Sequence, residues 1–170
     1  VIPFVFILTI GYAVAYNFGT NFFLGEISYN TKAIAATLQL AVTMDYSIFL
    51  YRRYVEEKGK RETHQEAMAR AIENTISSIF ASSFTTFAGF IVLVLMELGL
   101  GKDIGLVMSK GVLIGLLATV SVLPAMLLVT EKLVTKYNHR VLLPSFDTLS
   151  DFSVKHKKAL FALFILLFLP

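Results

Sequence analysis

Asp45 is the only charged residue in an apolar stretch that covers residues 33–51. A helix of this length is about long enough to cross the ~30 Å hydrocarbon core of a bilayer. Because an ionised, unpaired carboxylate is costly in hydrocarbon, acids in such positions usually have a function. Asp45 could be neutral in one conformation and charged in another, so that its protonation biases a conformational equilibrium. Asp45 is therefore a candidate proton carrier; the alternative is an acid that stays neutral and holds two helices together.

Three further polar side chains in this stretch could assist Asp45. Tyr46 follows it directly, and its hydroxyl could relay a proton through water or could simply satisfy a backbone carbonyl. At about 100° per residue, we expect Gln39 and Thr43 to project in the same sector as Tyr46, next to Asp45. Asp45 and Tyr46 are thus the predicted proton relay, with Gln39 and Thr43 as supporting polar residues.

Two other apolar stretches add candidates. Residues 74–96 carry several hydroxyl side chains, of which Ser82 and Thr86 could hydrate Asp45 or donate to it; the plainer interpretation is a seam for close helix packing. Residues 104–129 carry one charge, Lys110, whose long side chain could extend to the outer surface. Lys110 could instead pair with Asp45 or with an acid outside this chain.

The candidate residues all lie in apolar stretches, so the structure of these stretches determines their positions. Unpaired backbone groups are costly in lipid, so the stretches should be helices, and we predict an all-α fold, a polytopic transmembrane helix bundle. The predicted spans cover roughly residues 1–18, 33–51, 74–96 and 104–129.

We expect residues 1–130 to form one transmembrane core. Residues 131–158 would be a connection with amphipathic portions that could include an interfacial helix. Residues 159–170 would begin the next span. The chain begins and ends within apolar runs, so we interpret it as a piece of a longer polypeptide.

The composition argues against several classes of protein. Charged residues make up 16% of the chain and apolar residues 56%, whereas soluble domains are about 25% charged. There is no Cys, and therefore no disulfide framework or thiolate metal site. The sequence contains no phosphate-binding glycine loop, metal-ligand constellation or nucleophile–base pair, so we expect no enzyme activity, no metal and no cofactor.

The basic residues predict the orientation in the membrane. Residues 52–74 and 130–158 hold twelve of the fifteen Lys and Arg residues. By the positive-inside rule, we expect both loops to face the cytoplasm. The membrane that the protein spans would then be the plasma membrane. The net charge of +3 then reflects this asymmetry between loops, and we expect no nucleic-acid partner.

The run Leu-Ala-Val-Thr-Met-Asp-Tyr-Ser-Ile-Phe-Leu at residues 40–50, with Arg53-Tyr54 and Glu56-Glu57 after it, resembles the fourth transmembrane helix of MMPL-type transporters. These proteins belong to the resistance-nodulation-division superfamily. The hydroxyl residues that end at Gly89-Phe90 resemble the fifth helix, and Leu123-Pro124-Ala125 resembles the close of the sixth. The resemblance covers nearly the whole chain, as helices three to six and the start of helix seven.

The resemblance implies a function. Such transporters have twelve transmembrane helices in two similar halves and export hydrophobic or amphiphilic molecules, often lipids or drugs, with the proton gradient. Their Asp-Tyr pair matches Asp45 and Tyr46 and is thought to relay protons with an equivalent pair in the second half. The implied partners are the lipid bilayer, an amphiphilic substrate and that second half.

Two other functions stay open at this point. The same core resembles sterol-sensing domains, which would make the chain a lipid-binding or scaffold module that does not pump. A third possibility is a protein-export auxiliary of the same superfamily. Sodium could also replace the proton as the coupling ion, because a carboxylate with Ser and Thr oxygens can coordinate it.

Overall fold

The structure is a computed structural model that describes residues 1–24, 27–61, 63–131 and 133, together with residues 155–158, 161 and 165. Its helices are α1 (Ile2–Thr20), α2 (Tyr29–Lys58), α3 (His64–Val94), α4 (Gly99–Leu117) and α5 (Leu123–Val129). A short 3₁₀ turn, Asn21–Leu24, follows α1, and a π-helical turn, Ala118–Val122, joins α4 to α5. The described residues contain no strand, and the predicted all-α class is confirmed.

Four helices in the described part of the chain are long and apolar enough to cross a membrane: Ile2–Thr20, Tyr29–Lys58, His64–Val94 and Gly99–Val129. This confirms the predicted polytopic bundle. The second and third are longer than the predicted stretches 33–51 and 74–96, chiefly at their basic ends.

The extra length of α2 and α3 has a local cause. Residues 52–58 and 64–73 are rich in Ala, Glu, Lys and Arg, which favour helices. They also keep the helical spacing of buried residues, with Ala67, Ala71 and Thr75 buried along α3. Thr63 caps the start of α3, because its hydroxyl oxygen accepts a hydrogen bond from the Glu66 backbone N–H at 3.3 Å.

Glycines on α4 allow close packing of this helix against its neighbours. A Cβ atom at Gly105 would lie 2.8 Å from the Phe90 carbonyl oxygen of α3, and one at Gly115 would lie 2.5 Å from the Thr43 hydroxyl of α2. α2 contacts α1, α3 and α4, and its buried residue Leu50 belongs to the main apolar core. Small residues at these contacts are typical of membrane helix packing.

The membrane-spanning helix Gly99–Val129 is interrupted by the π-helical turn. The Leu123 N–H donates to the Ala118 carbonyl, five residues back, and Pro124, which has no N–H, follows directly. Proline removes one rung of the helical ladder, and a π turn is a common accommodation. The buried Thr119 lies in this turn, and its hydroxyl has no hydrogen-bond partner among the described residues.

The chain divides into two compact units, Val1–Tyr137 and Asn138–Pro170. The helices α1–α5 belong to the first unit. In the second unit the structure describes only residues 155–158, 161 and 165. The predicted interfacial helix within 131–158 and the predicted span 159–170 therefore lie largely outside the described residues and stay predictions.

Candidate functional site

Asp45 lines a cavity of about 330 Å³ between α2 and α3. The residue sits near the middle of the 30-residue helix α2, well away from both ends. The cavity combines one acid, one phenol, three aliphatic hydroxyls and three apolar side chains: Val42, Asp45, Tyr46, Phe49, Ser78, Ile79, Ser82 and Thr86. The structure thus brings the predicted residues Asp45, Tyr46, Ser82 and Thr86 together at one site.

The hydrogen-bonding capacity of this cavity is largely unused. Asp45 has no hydrogen bond or ion pair among the described residues, and its side chain is accessible from the cavity. Tyr46 is only 6% exposed, yet its hydroxyl finds no partner in the described part of the chain. The Thr86 hydroxyl donates to the Ser82 backbone carbonyl at 3.0 Å, whereas the Ser82 hydroxyl makes no hydrogen bond with the described residues and can donate elsewhere. A carboxylate and donors of this kind can bind water or a cation and can pass a proton.

Gln39 lies on a different face of α2 from Asp45. Its amide nitrogen donates to the carbonyls of Ala13 at 3.1 Å and Gly111 at 3.3 Å, and its amide oxygen accepts from Asn17 at 2.8 Å. Gln39 therefore joins α1, α2 and α4 in a buried polar contact. The expectation that it projects beside Asp45 is wrong, and its role in the structure is to connect helices.

Thr43 is also turned away from Asp45. It is buried and packs against Gly115 of α4, while Asp45 faces α3. Residues two apart on an α-helix lie on nearly opposite sides, and the expectation that Thr43 projects next to Asp45 overlooked this offset. The buried Thr43 hydroxyl has no partner among the described residues.

Lys110 does not pair with Asp45 in the structure. Its ammonium group donates to the Asn17 carbonyl at 3.0 Å and to the Asn21 side-chain oxygen at 2.5 Å. Both acceptors lie at the C-terminal end of α1, where a cation is favoured by the unpaired carbonyls of the helix. The side chain thus extends toward the connection between α1 and α2, the direction expected for a lysine that reaches toward an end of its span.

Comparison with known proteins identifies the family. The sequence pattern of the MMPL family matches residues 1–145, which is most of the chain and includes every helix described above. The chain belongs to the MMPL family. The resemblance noted from residues 40–50 is therefore confirmed.

Several curated relatives of this MMPL chain are similar over part of their length. The membrane protein ActII-3 of Streptomyces coelicolor is 36% identical over 122 residues, 72% of this chain and 17% of that protein. The membrane protein MJ1562 of Methanocaldococcus jannaschii is 31% identical over 96 residues, 56% of this chain and 25% of that protein. MmpL12 of Mycobacterium tuberculosis, named a "probable transport protein", is 28% identical over 128 residues, 73% of this chain and 11% of that protein.

The MMPL chain therefore spans a quarter or less of the length of these curated relatives. No solved structure matches it. Among the described residues, no group of three His, Asp or Glu side chains could hold a metal ion.

The sequence interpretation missed two parts of this site. Asn17 of α1 has a fully buried side-chain amide that donates to Gln39, while its backbone carbonyl accepts from Lys110; the available signal was an amide within an otherwise apolar stretch. Ser78 was not singled out among the hydroxyl residues of 74–96, but it lines the cavity with Asp45. It precedes Ser82 by four residues, one helical turn, which places both on the same face of α3.

Proposed function

We propose that this chain is part of a membrane transporter that exports hydrophobic or amphiphilic molecules, such as lipids or drugs, and is driven by a proton gradient. Asp45 and Tyr46 would form the proton relay. The chain would lie in the plasma membrane, with residues 52–74 and 130–158 on the cytoplasmic side. Its partners would be the bilayer, the transported amphiphile and a second half of the same polypeptide.

The observation that carries this proposal is the location of Asp45. It is a carboxyl group in the middle of a membrane-spanning helix, and it faces a cavity whose walls supply hydroxyl groups. An acid that served only to join helices would be hydrogen-bonded to a neighbouring helix, whereas Asp45 makes no such bond with the described residues. Membership of the MMPL family and the name of the relative MmpL12 support a transport function.

The proposed mechanism uses the two different faces of α2. Protonation of Asp45 removes a charge from the α3 side and so changes the cost of placing that side against lipid or protein. The opposite side is held to α1 and α4 through Gln39 and Thr43, so a shift of α2 would move α1 and α4 with it. The electrical part of the gradient supplies about 2.3 kcal/mol per charge per 100 mV.

Transport by the full polypeptide in liposomes tests the proposal. The outward movement of a labelled phospholipid, a labelled fatty acid and a lipophilic cationic dye is followed after a pH gradient is imposed. We expect gradient-dependent movement of at least one probe by the wild-type protein and none by Asp45→Asn. Asp103→Asn, which removes the same charge from α4 outside the cavity, is the matched control and should retain movement.

The result also separates the alternatives. A lipid-binding or scaffold module would bind the probes but move none of them in response to the gradient. Movement driven by a sodium gradient alone would identify sodium as the coupling ion. Undiminished movement by Asp45→Asn would contradict the relay.

A further inference from the structure

A second cavity lies at the basic end of the same helix pair. It has a volume of about 480 Å³, and its lining residues come from α2 and α3: Phe49, Arg52, Arg53, Glu56, Asn74 and Thr75. Arg52 and Arg53 follow directly after the apolar stretch 33–51, so we expect their guanidinium groups at the level where a bilayer changes from acyl chains to headgroups. This cavity takes no part in the proposed proton relay.

Among the described residues, Arg52 has no acidic partner at this cavity. Glu57 is contacted by three cations, with Arg53 at 3.2 Å, Lys60 at 3.7 Å and Arg61 at 3.9 Å. Glu56 pairs with Arg53 at 2.9 Å. Both glutamates are thus engaged by other cations, while Arg52 makes no hydrogen bond or ion pair within the described part of the chain. The local excess of positive charge is complementary to an anion.

The second cavity, at the basic end, adjoins the first cavity, which contains Asp45. Phe49 lines both this cavity and the one that contains Asp45, so the two follow one another along α2 and α3. Arg52 and Asn74 supply donors at one end. Beyond Phe49, the walls of the first cavity include the apolar side chains of Val42 and Ile79 beside Asp45 and the hydroxyl groups. Arg52 and Val42 are ten residues apart on α2, which corresponds to about 15 Å at 1.5 Å per residue.

We propose that this cavity binds the phosphate group of an anionic phospholipid, whose acyl chain lies along Phe49 toward Ile79. A guanidinium group and an amide are donors that suit phosphate oxygens, and arginine can bind them in a bidentate manner. Basic pockets between membrane helices are known to bind acidic headgroups. Free phosphate would satisfy the donors, but it would leave the apolar side chains of Phe49 and Ile79 without a ligand.

Crosslinking of a lipid to the full polypeptide tests this site. The protein is reconstituted in phosphatidylcholine nanodiscs that contain phosphatidylglycerol with a photoreactive acyl chain. After irradiation, the crosslinked peptides are identified by mass spectrometry. We expect crosslinks near Phe49 and Ile79 and a reduction of at least fivefold in Arg52→Gln. Arg70→Gln is the matched control, because it removes one charge from α3 at the same end but outside the cavity.

Three results would overturn the proposal. Equal crosslinking in wild type and Arg52→Gln would exclude a role for this guanidinium. An equal loss in Arg52→Gln and Arg70→Gln would indicate a general effect of surface charge. Loss of crosslinking when millimolar inorganic phosphate is present during irradiation would assign the site to free phosphate. Each of these results is read from lipid crosslinking, whereas the proton relay is tested by gradient-driven movement in Asp45→Asn, so failure of one proposal is distinguishable from failure of the other.

Discussion

Thr43 and Asp45 are two residues apart on α2 and belong to opposite sides of the bundle. Thr43 is buried against Gly115 of α4, whereas Asp45 faces the cavity beside α3. One side of α2 is therefore fixed by close packing, and the other side keeps space for water and for a change of charge. In the proposed mechanism, this division would let a single helix hold the bundle together on one side and respond to protonation on the other.

Ser82→Ala should slow gradient-driven transport without abolishing it. The Ser82 hydroxyl lines the cavity and is available to donate to Asp45 or to a bound water, and one such hydrogen bond is worth about 1 kcal/mol, or about fivefold in rate. Initial rates in liposomes are the measurement. Ser77→Ala, on an exposed position of α3 outside the cavity, should leave the rate unchanged; equal rates for both variants would contradict the assignment of Ser82.

Gly105→Ala should destabilise the protein by about 1–3 kcal/mol. The added Cβ would lie 2.8 Å from the Phe90 carbonyl and 2.9 Å from the Val94 backbone nitrogen, so α3 and α4 would have to separate. Thermal unfolding of the full polypeptide in detergent measures the effect. Gly89→Ala, where a Cβ meets nothing within 4 Å, is the control and should be neutral or slightly stabilising because Ala favours helix. A Gly105→Ala protein as stable as Gly89→Ala would argue against this contact.

Lys110→Met should reduce stability but preserve proton-coupled transport. The ammonium group holds two acceptors at the end of α1, and a hydrogen bond to a charged group contributes about 1.5–3 kcal/mol. Melting temperature and transport rate, measured on the same preparation, separate the two effects. If transport were lost while the melting temperature stayed at the wild-type value, Lys110 would have to act on the relay itself.

Glu131→Gln should loosen the basic end of the bundle. Glu131 accepts from Tyr54 at 3.2 Å and Lys58 at 3.0 Å, and it also contacts His64, so it joins the end of α2 to the start of α3. Since these partners are partly exposed, we expect a loss of about 1 kcal/mol. Hydrogen–deuterium exchange should increase around Lys58 and His64. Glu73→Gln, in the exposed pair with Arg70, is the control; the same exchange in both variants would mean that the Glu131 contacts contribute nothing.

The sequence was sufficient for the spans and for singling out Asp45, because hydropathy and an isolated acid are strong local signals. It offered the α3 hydroxyls of Ser82 and Thr86 as partners of Asp45 only beside the plainer interpretation of a packing seam. It was insufficient for the roles of Gln39 and Lys110. Their partners, Asn17 and Asn21, come from another helix, and the rotation of one helix against another is set by packing at residues such as Gly111 and Gly115 rather than by any local pattern. The extra length of α2 was missed because the apolar stretch used for the prediction ends at residue 51, where charged residues begin, whereas the helix continues to Lys58.

Proton flux is the most direct measurement of whether Asp45 carries the coupling ion. The full polypeptide is reconstituted in liposomes with a pH indicator in the lumen, and proton entry is recorded after a pH gradient is imposed in the presence of a transported probe. The proposal predicts protein-dependent flux in wild type and Asp103→Asn, and only the passive leak of empty liposomes in Asp45→Asn. A flux in Asp45→Asn equal to that of the wild type would contradict it.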